Sequence, residues 1–218
     1  MIKNIIFDMD GVLIDSENAI RTACMMMFNE IGINPTHEDF MEFIGMGEDR
    51  FIGGVAEKYG KNYHTGMKDR AYEIYGDIAN EYVITYDNVK EVIMELKCKD
   101  FCLAVASAAD AVKVRINLAC MGLSFDDFGA IVTGSDVEKK KPDPEIFLKA
   151  AKKIGADPAQ SLVLEDAISG CNAAVAAGMR CVGVTTSFSK EQLLEAGAEC
   201  TIPQVHKLLD IINNLSLK

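Results

Sequence analysis

Residues 4–11, NIIFDMDG, decide how this chain reads. The apolar run Ile5-Ile6-Phe7 ends in two carboxylates, Asp8 and Asp10, and then at once in Gly11. Continuous apolarity, as opposed to strict alternation, points to a strand buried on both faces, as in a parallel sheet. Like charges at the end of such a strand repel each other unless something cationic lies near them. What they hold is therefore the central question.

Four further runs share the character of the first: FCLAVAS (101–107), AIVTG (130–134), SLVLED (161–166) and CVGVTT (181–186). Between them lie helical patterns, namely VKEVIMELK, residues 110–121, PEIFLKAAKKIG and AISGCNAAVAAG, with Pro144 placed to start a helix and Gly155 and Gly178 to end two. Alternating strands and helices predict an α/β fold, a doubly wound parallel sheet of Rossmann-like form with right-handed crossovers. Residues 16–81 break the alternation. They show helical periodicity (ENAIRTACMMMFNEIG, EDFMEFIG, EDRFIGGVAEKYG, MKDRAYEIYGDIANEY) and no buried strand. The expected organisation is a core of residues 1–15 and 82–218 with a helical cap, residues 16–81, inserted after the first strand. Tethered twice beside that strand, the cap is placed to act as a lid. The Met25–Met27 run reads as helix packing.

The 218 residues carry 22 Lys+Arg against 33 Asp+Glu, a formal charge of −11, with 49% hydrophobic residues. Such a surface opposes binding to nucleic acid or anionic lipid. No apolar stretch approaches the roughly 18 residues of a membrane span, and the N-terminus lacks a signal peptide's pattern. The seven cysteines have neither C-x-x-C nor zinc-finger spacing, and His37, His64 and His206 are scattered. A reduced, cytoplasmic, soluble protein is expected, as a monomer with no nucleic-acid or membrane partner.

In an open α/β sheet, ligands bind beyond the carboxyl ends of the strands. There the chain places Asp8 and Asp10, then Ser107, then Lys141 in DVEKKKPDPEIF, then Glu165-Asp166. Singly each has an ordinary explanation: an Asx turn, a helix cap, a solvated lysine run. Together they form a complementary set of carboxylates, a hydroxyl and an ammonium at one edge. Hard oxygen ligands at this density suit Mg²⁺ with a substrate phosphate.

The ordered motifs DMDGV, the Ser of LAVAS, the Lys before PDPEIF and LEDAISG resemble the haloacid dehalogenase (HAD) superfamily of phosphotransferases from end to end, helical cap included. The resemblance implies that Asp8 is the nucleophile that forms an aspartyl-phosphate, and Asp10 the general acid/base. Gly11 lets the backbone turn beside the phosphoryl group. Ser107 and the backbone N–H of Ala108 are the implied phosphate donors, and Lys141 the cation beside Asp8. Glu165 and Asp166, with Asp8 and the Asp10 backbone carbonyl, are the implied Mg²⁺ set.

Within the superfamily, Asp10 argues against the dehalogenases, which lack it, and against phosphonate-cleaving relatives, which usually carry Ala there. DGVLIDSE and LEDAISG are similar to the β-phosphoglucomutase and phosphoglycolate phosphatase-like subgroup with a helical C1 cap. Lys58, Lys61 and Lys68 read as surface helix residues. Ile20 stands where the mutase usually has a cap His, Glu48 where it has an Arg, and AADAVK lacks its Lys-Asn pair. Glu48 and Arg50, in the FIGMGEDRF loop, are the candidates for substrate discrimination. FIGMGEDRFIGGVAEKYG and ASAADAVKV are also similar to the HAD segment of multidomain plant thylakoid proteins. The reading favoured is a Mg²⁺-dependent phosphatase acting on a small phosphorylated metabolite. A sugar-phosphate mutase is the alternative, and a non-catalytic phosphate-binding module a second.

Overall fold

The computed structural model describes residues 2–43 and 47–216. Six strands, β1 (Asn4–Phe7), β4 (Cys102–Ala106), β5 (Ala130–Val132), β6 (Ser161–Glu165), β7 (Arg180–Val184) and β8 (Cys200–Ile202), form one parallel sheet in the order β5-β4-β1-β6-β7-β8. Between β1 and β4, β2 (Ile14–Asp15) and β3 (Ile84–Thr85) form a short antiparallel pair where the chain leaves and re-enters the core. The doubly wound sheet is as the apolar runs predicted, with strand ends trimmed by a residue or two.

Period-two alternation explains how the sheet is buried on both sides. In β1, Ile5 and Phe7 join one apolar cluster and Ile6 joins another. The first face is covered by α4 (Val89–Cys98), α5 (Ala111–Cys120) and α9 (Leu208–Ser216), through Ile93, Val114 and Ile212 among others. The second face is covered by α6 (Glu145–Lys153), α7 (Ile168–Ala176) and α8 (Lys190–Glu195). There Phe147 is fully buried, and alanines 150, 151, 173 and 174 let helices approach closely. Burying one such large apolar side chain stabilises by about 1.5–3 kcal/mol.

The inserted segment has its own apolar cluster, running from Ala19 to Ala79. It comprises α1 (Glu17–Glu30), a 3-10 turn (His37–Phe43), α2 (Glu48–Lys58) and α3 (Thr65–Tyr82). EDFMEFIG, read as helical, is thus 3-10 over its described part. Ile44–Met46, within the FIGMGEDRF loop, lie outside the described residues. Met27 is buried in this cluster and Met26 is exposed, as a helix face requires. Ile20 also packs into it. The terminal helix α9, the short α8 and edge strand β8 were not apparent from the sequence pattern.

Candidate active site

The strand order reverses around β1, so the crevice beyond its carboxyl end is the position where such sheets bind ligands. Asp8 is the first residue past that end, and its N–H still bonds Leu164 O on β6 at 3.0 Å. The chain then folds sharply. Leu13 N–H returns to Met9 O at 2.9 Å and Gly11 N–H bonds Ile14 O at 2.7 Å. Gly11 has φ +82°, and its carbonyl accepts from the Thr186 hydroxyl at 2.5 Å. A Cβ at Gly11 would land on the Asp166 carboxylate, so this position requires glycine twice over.

Lys141 Nζ donates to Asp8 Oδ1 at 2.5 Å and to Glu165 Oε1 at 2.5 Å. Its side chain is 8% exposed, against 73% for Lys139, so the lysine run divides into one buried site residue and solvated neighbours. Burial opposes a charged amine here, but Asp8 and Glu165 outweigh it and hold the ammonium above its ordinary pKa. The ammonium also lies 4.8 Å from the Phe147 ring centroid.

The acids outnumber this cation. Burial raises the Asp8 carboxyl well above the usual range, with Lys141 opposing and Glu165 and Asp166 adding to the rise. Asp166 is pushed up to about 7, first by burial and then by Glu165, against the hydrogen bond from Ser187 and the charge of Lys141. Crowded, under-neutralised oxygens of this kind fit a hard divalent cation. Asp8, Asp166 and the Asp10 carbonyl, which precedes the Gly11 backbone packed on Asp166, would hold Mg²⁺. Among the described residues no three side chains of His, Cys, Asp or Glu are spaced as a complete cage. Mg²⁺ usually takes one or two carboxylates and fills its octahedron with water and phosphate oxygens. Glu165, expected among the ligands, has both oxygens engaged elsewhere: Oε1 by Lys141 and Oε2 by the Ala167 N–H at 2.9 Å. Its geometry is that of an anchor for Lys141. A Cβ at Gly170 would strike this carboxylate, which is how α7 packs so closely behind it.

Ser107 follows β4 and is buried, its Oγ accepting the Ala109 N–H at 3.1 Å while its own N–H bonds Val132 O at 3.0 Å. Its hydroxyl proton is thereby left to donate. Ala108 is exposed, and its carbonyl abuts Gly134, where a Cβ would collide with it.

Asp10 belongs to a separate network. The Ser16 hydroxyl donates to Oδ1, Lys113 Nζ lies 3.2 Å from Oδ2, and Asn117 Nδ2 lies 3.5 Å from Oδ1. Lys113 also meets Glu48 of the inserted helical segment at 3.7 Å. Burial raises the Glu48 carboxyl, with Lys113 opposing. The structure thus joins Glu48 to the Asp10 network but not Arg50, whose guanidinium pairs with exposed Glu57 at 2.8 Å and stacks over Phe43. Lys68, read as a surface residue, instead bridges Asp49 at 2.9 Å and Asp110 of the core at 2.8 Å. Sequence reading missed Lys113, Asn117, Ser16 and Lys68. The available signal was Lys113 and Asn117, four apart on the helix that opens just beyond β4.

An Asp beside a lysine at the switch point, a second Asp two residues on and an acidic pair at the end of the adjacent strand β6 are the site pattern of a phosphotransferase-type α/β hydrolase. The chain belongs to the haloacid dehalogenase-like hydrolase family, whose model matches residues 5–184. It is 41% identical to Protein SUPPRESSOR OF QUENCHING 1, chloroplastic, of Arabidopsis thaliana over 99% of its length, and spans only 20% of that larger protein. It is 30% identical to Phosphorylated carbohydrates phosphatase of Thermotoga maritima, covering 97% of this chain and 98% of that one. The crystal structure titled putative beta-phosphoglucomutase, from Thermotoga maritima, superposes with a TM-score of 0.80 at 28% identity, covering 98% and 100% of the two chains. The chain is therefore a HAD-like hydrolase with phosphatase and phosphomutase relatives. Among the described residues no helix is long and apolar enough to cross a membrane.

Proposed function

We propose that the chain is a Mg²⁺-dependent phosphatase that hydrolyses a small phosphomonoester through an aspartyl-phosphate on Asp8. The observation that carries this reading is that Asp8 and Asp10, two residues apart, are bound to different lysines, Lys141 and Lys113. One carboxylate is thereby presented for attack and the other for proton transfer. An Asp8 oxygen bonds to phosphorus as the ester P–O bond breaks, and Asp10 gives its proton to the departing oxygen. Water then attacks phosphorus, Asp10 takes a proton from it, and the bond to Asp8 breaks to release orthophosphate. Lys141 and the Ser107 hydroxyl, with the Ala108 N–H, offset charge on the equatorial oxygens. Bound Mg²⁺ supplies further positive charge there. Glu48 presents a carboxylate from the cap and disfavours a second anionic group at the far end of the substrate.

The mutase alternative requires a cation in the cap for a second phosphate. Glu48 and the buried Ile20 are unsuited to that. In this reading the enzyme works in the cytoplasm as a monomer. Phosphate release from p-nitrophenyl phosphate and acetyl phosphate with Mg²⁺, for wild type and Asp8→Asn, tests the proposal. Release of hexose 6-phosphate from hexose 1-phosphate without free phosphate would replace it by the mutase.

A further inference from the structure

Two of the three side chains that hold Asp10 stand on one helix. Lys113 and Asn117 lie four apart on α5 and reach Asp10 from the same face, at 3.2 Å and 3.5 Å. Each is in turn held by one side chain of the cap. Glu48, at the start of α2, takes the Lys113 ammonium at 3.7 Å. The Tyr75 hydroxyl on α3 donates to Asn117 Oδ1. The Lys113 side chain is 7% exposed and Glu48 12%, so water does little to hold either in place. A lysine ammonium on its four-carbon stem is a mobile donor unless a second charged partner holds it, and here that partner forms an ion pair at 3.7 Å, longer than a hydrogen bond. Glu48 provides that fixation from across the cap–core boundary.

A general acid contributes only when it sits within hydrogen-bond reach of the oxygen that it protonates. We propose that Lys113, fixed by Glu48, is a positioning residue that orients the Asp10 carboxyl towards the leaving oxygen, so that the cap completes the acid. This rests on the reading of Asp10 as acid/base given above. The step itself is unaltered: the proton passes from Asp10 to the ester oxygen as that oxygen's bond to phosphorus breaks, and Lys113 transfers nothing.

Leaving-group dependence tests it. A p-nitrophenolate departs without protonation, whereas the alkoxide of glycerol 2-phosphate requires it. The quantity to compare is kcat/KM, which reports steps up to transfer onto Asp8, measured for both esters with Mg²⁺. The ratio of glycerol 2-phosphate to p-nitrophenyl phosphate should fall about tenfold or more in Lys113→Met. It should recover in part in Lys113→Arg and fall by a smaller factor in Glu48→Gln. Loss of folded protein cancels from the ratio, so a purely structural role for Lys113 lowers both rates together and leaves the ratio unchanged. An unchanged or rising ratio in both Lys113→Met and Glu48→Gln would overturn the proposal. A wild type active on the aryl ester alone would overturn it too, since Asp10 would then not be acting as an acid. Absence of Mg²⁺-dependent release from either ester would remove the phosphatase reading itself.

Discussion

The Lys141 ammonium lies 2.5 Å from Asp8, although 133 residues separate the two in sequence. The same ammonium touches Glu165, so a single lysine ties the ends of β1 and β6 together beside Asp8. Lys141→Met should lower kcat by about 10²- to 10³-fold, the usual effect of removing a group that stabilises developing charge. Lys141→Arg should recover little, because a planar guanidinium does not replace a compact ammonium between two carboxylates. Steady-state kinetics on p-nitrophenyl phosphate would check both.

Metal binding should be linked to pH. A carboxyl whose folded pKa exceeds its unfolded value binds its proton more tightly when folded. Its contribution to stability is fully present in acid and is lost as pH rises, for Asp166 between 3.8 and about 7. Mg²⁺ relieves that loss, so its stabilising effect should be larger at pH 8 than at pH 5. At about a hundredfold excess over Kd the gain in Tm at pH 8 should be about 5–10 °C. Asp166→Asn should flatten the difference, as thermal unfolding with and without chelator would show.

Gly11→Ala places a Cβ on the Asp166 carboxylate in a left-handed backbone. We expect a loss of about 1–3 kcal/mol in stability. More tellingly, the Mg²⁺-induced rise in Tm should vanish because Asp166 is displaced. A variant that keeps the full metal response would show that this contact does not shape the metal site.

Lys68 clasps the cap to the core through Asp110 and braces α2 through Asp49. Lys68→Ala should weaken closure over substrate by about 0.5–1 kcal/mol, as for partly exposed pairs, raising KM about two- to fivefold. The wild-type KM should move towards the variant's as salt is added. Equal salt sensitivity in both proteins would count against the clasp.

The sheet was legible because its strands are short, continuously apolar and punctuated by turn residues, and the site was legible wherever it hangs on a strand end. Asp8, Ser107 and Asp166 are of that kind. Lys141 was reachable only through its motif, since a three-lysine run by itself says nothing about which member turns inward. Lys113 and Asn117 were hidden, because the buried side of α5 mixes them with the apolar Val114 and Leu118 and so shows little amphipathic contrast. Lys68 and Glu48 gain their partners Asp110 and Lys113 only when the inserted segment meets the core, a tertiary relationship with no period in the sequence. Strand β8 was missed because CTI is short and lies at the sheet edge, where apolar continuity is weakest.

The central claim is that Asp8 carries the phosphoryl group. Rapid quenching of the enzyme in acid during turnover of acetyl phosphate with Mg²⁺, followed by mass spectrometry of the peptide containing residues 4–15, tests it directly. The account predicts one phosphoryl adduct on Asp8, absent from Asp8→Asn, which should also release no phosphate. An unmodified Asp8 in an active wild type, or full turnover by Asp8→Asn, would contradict it.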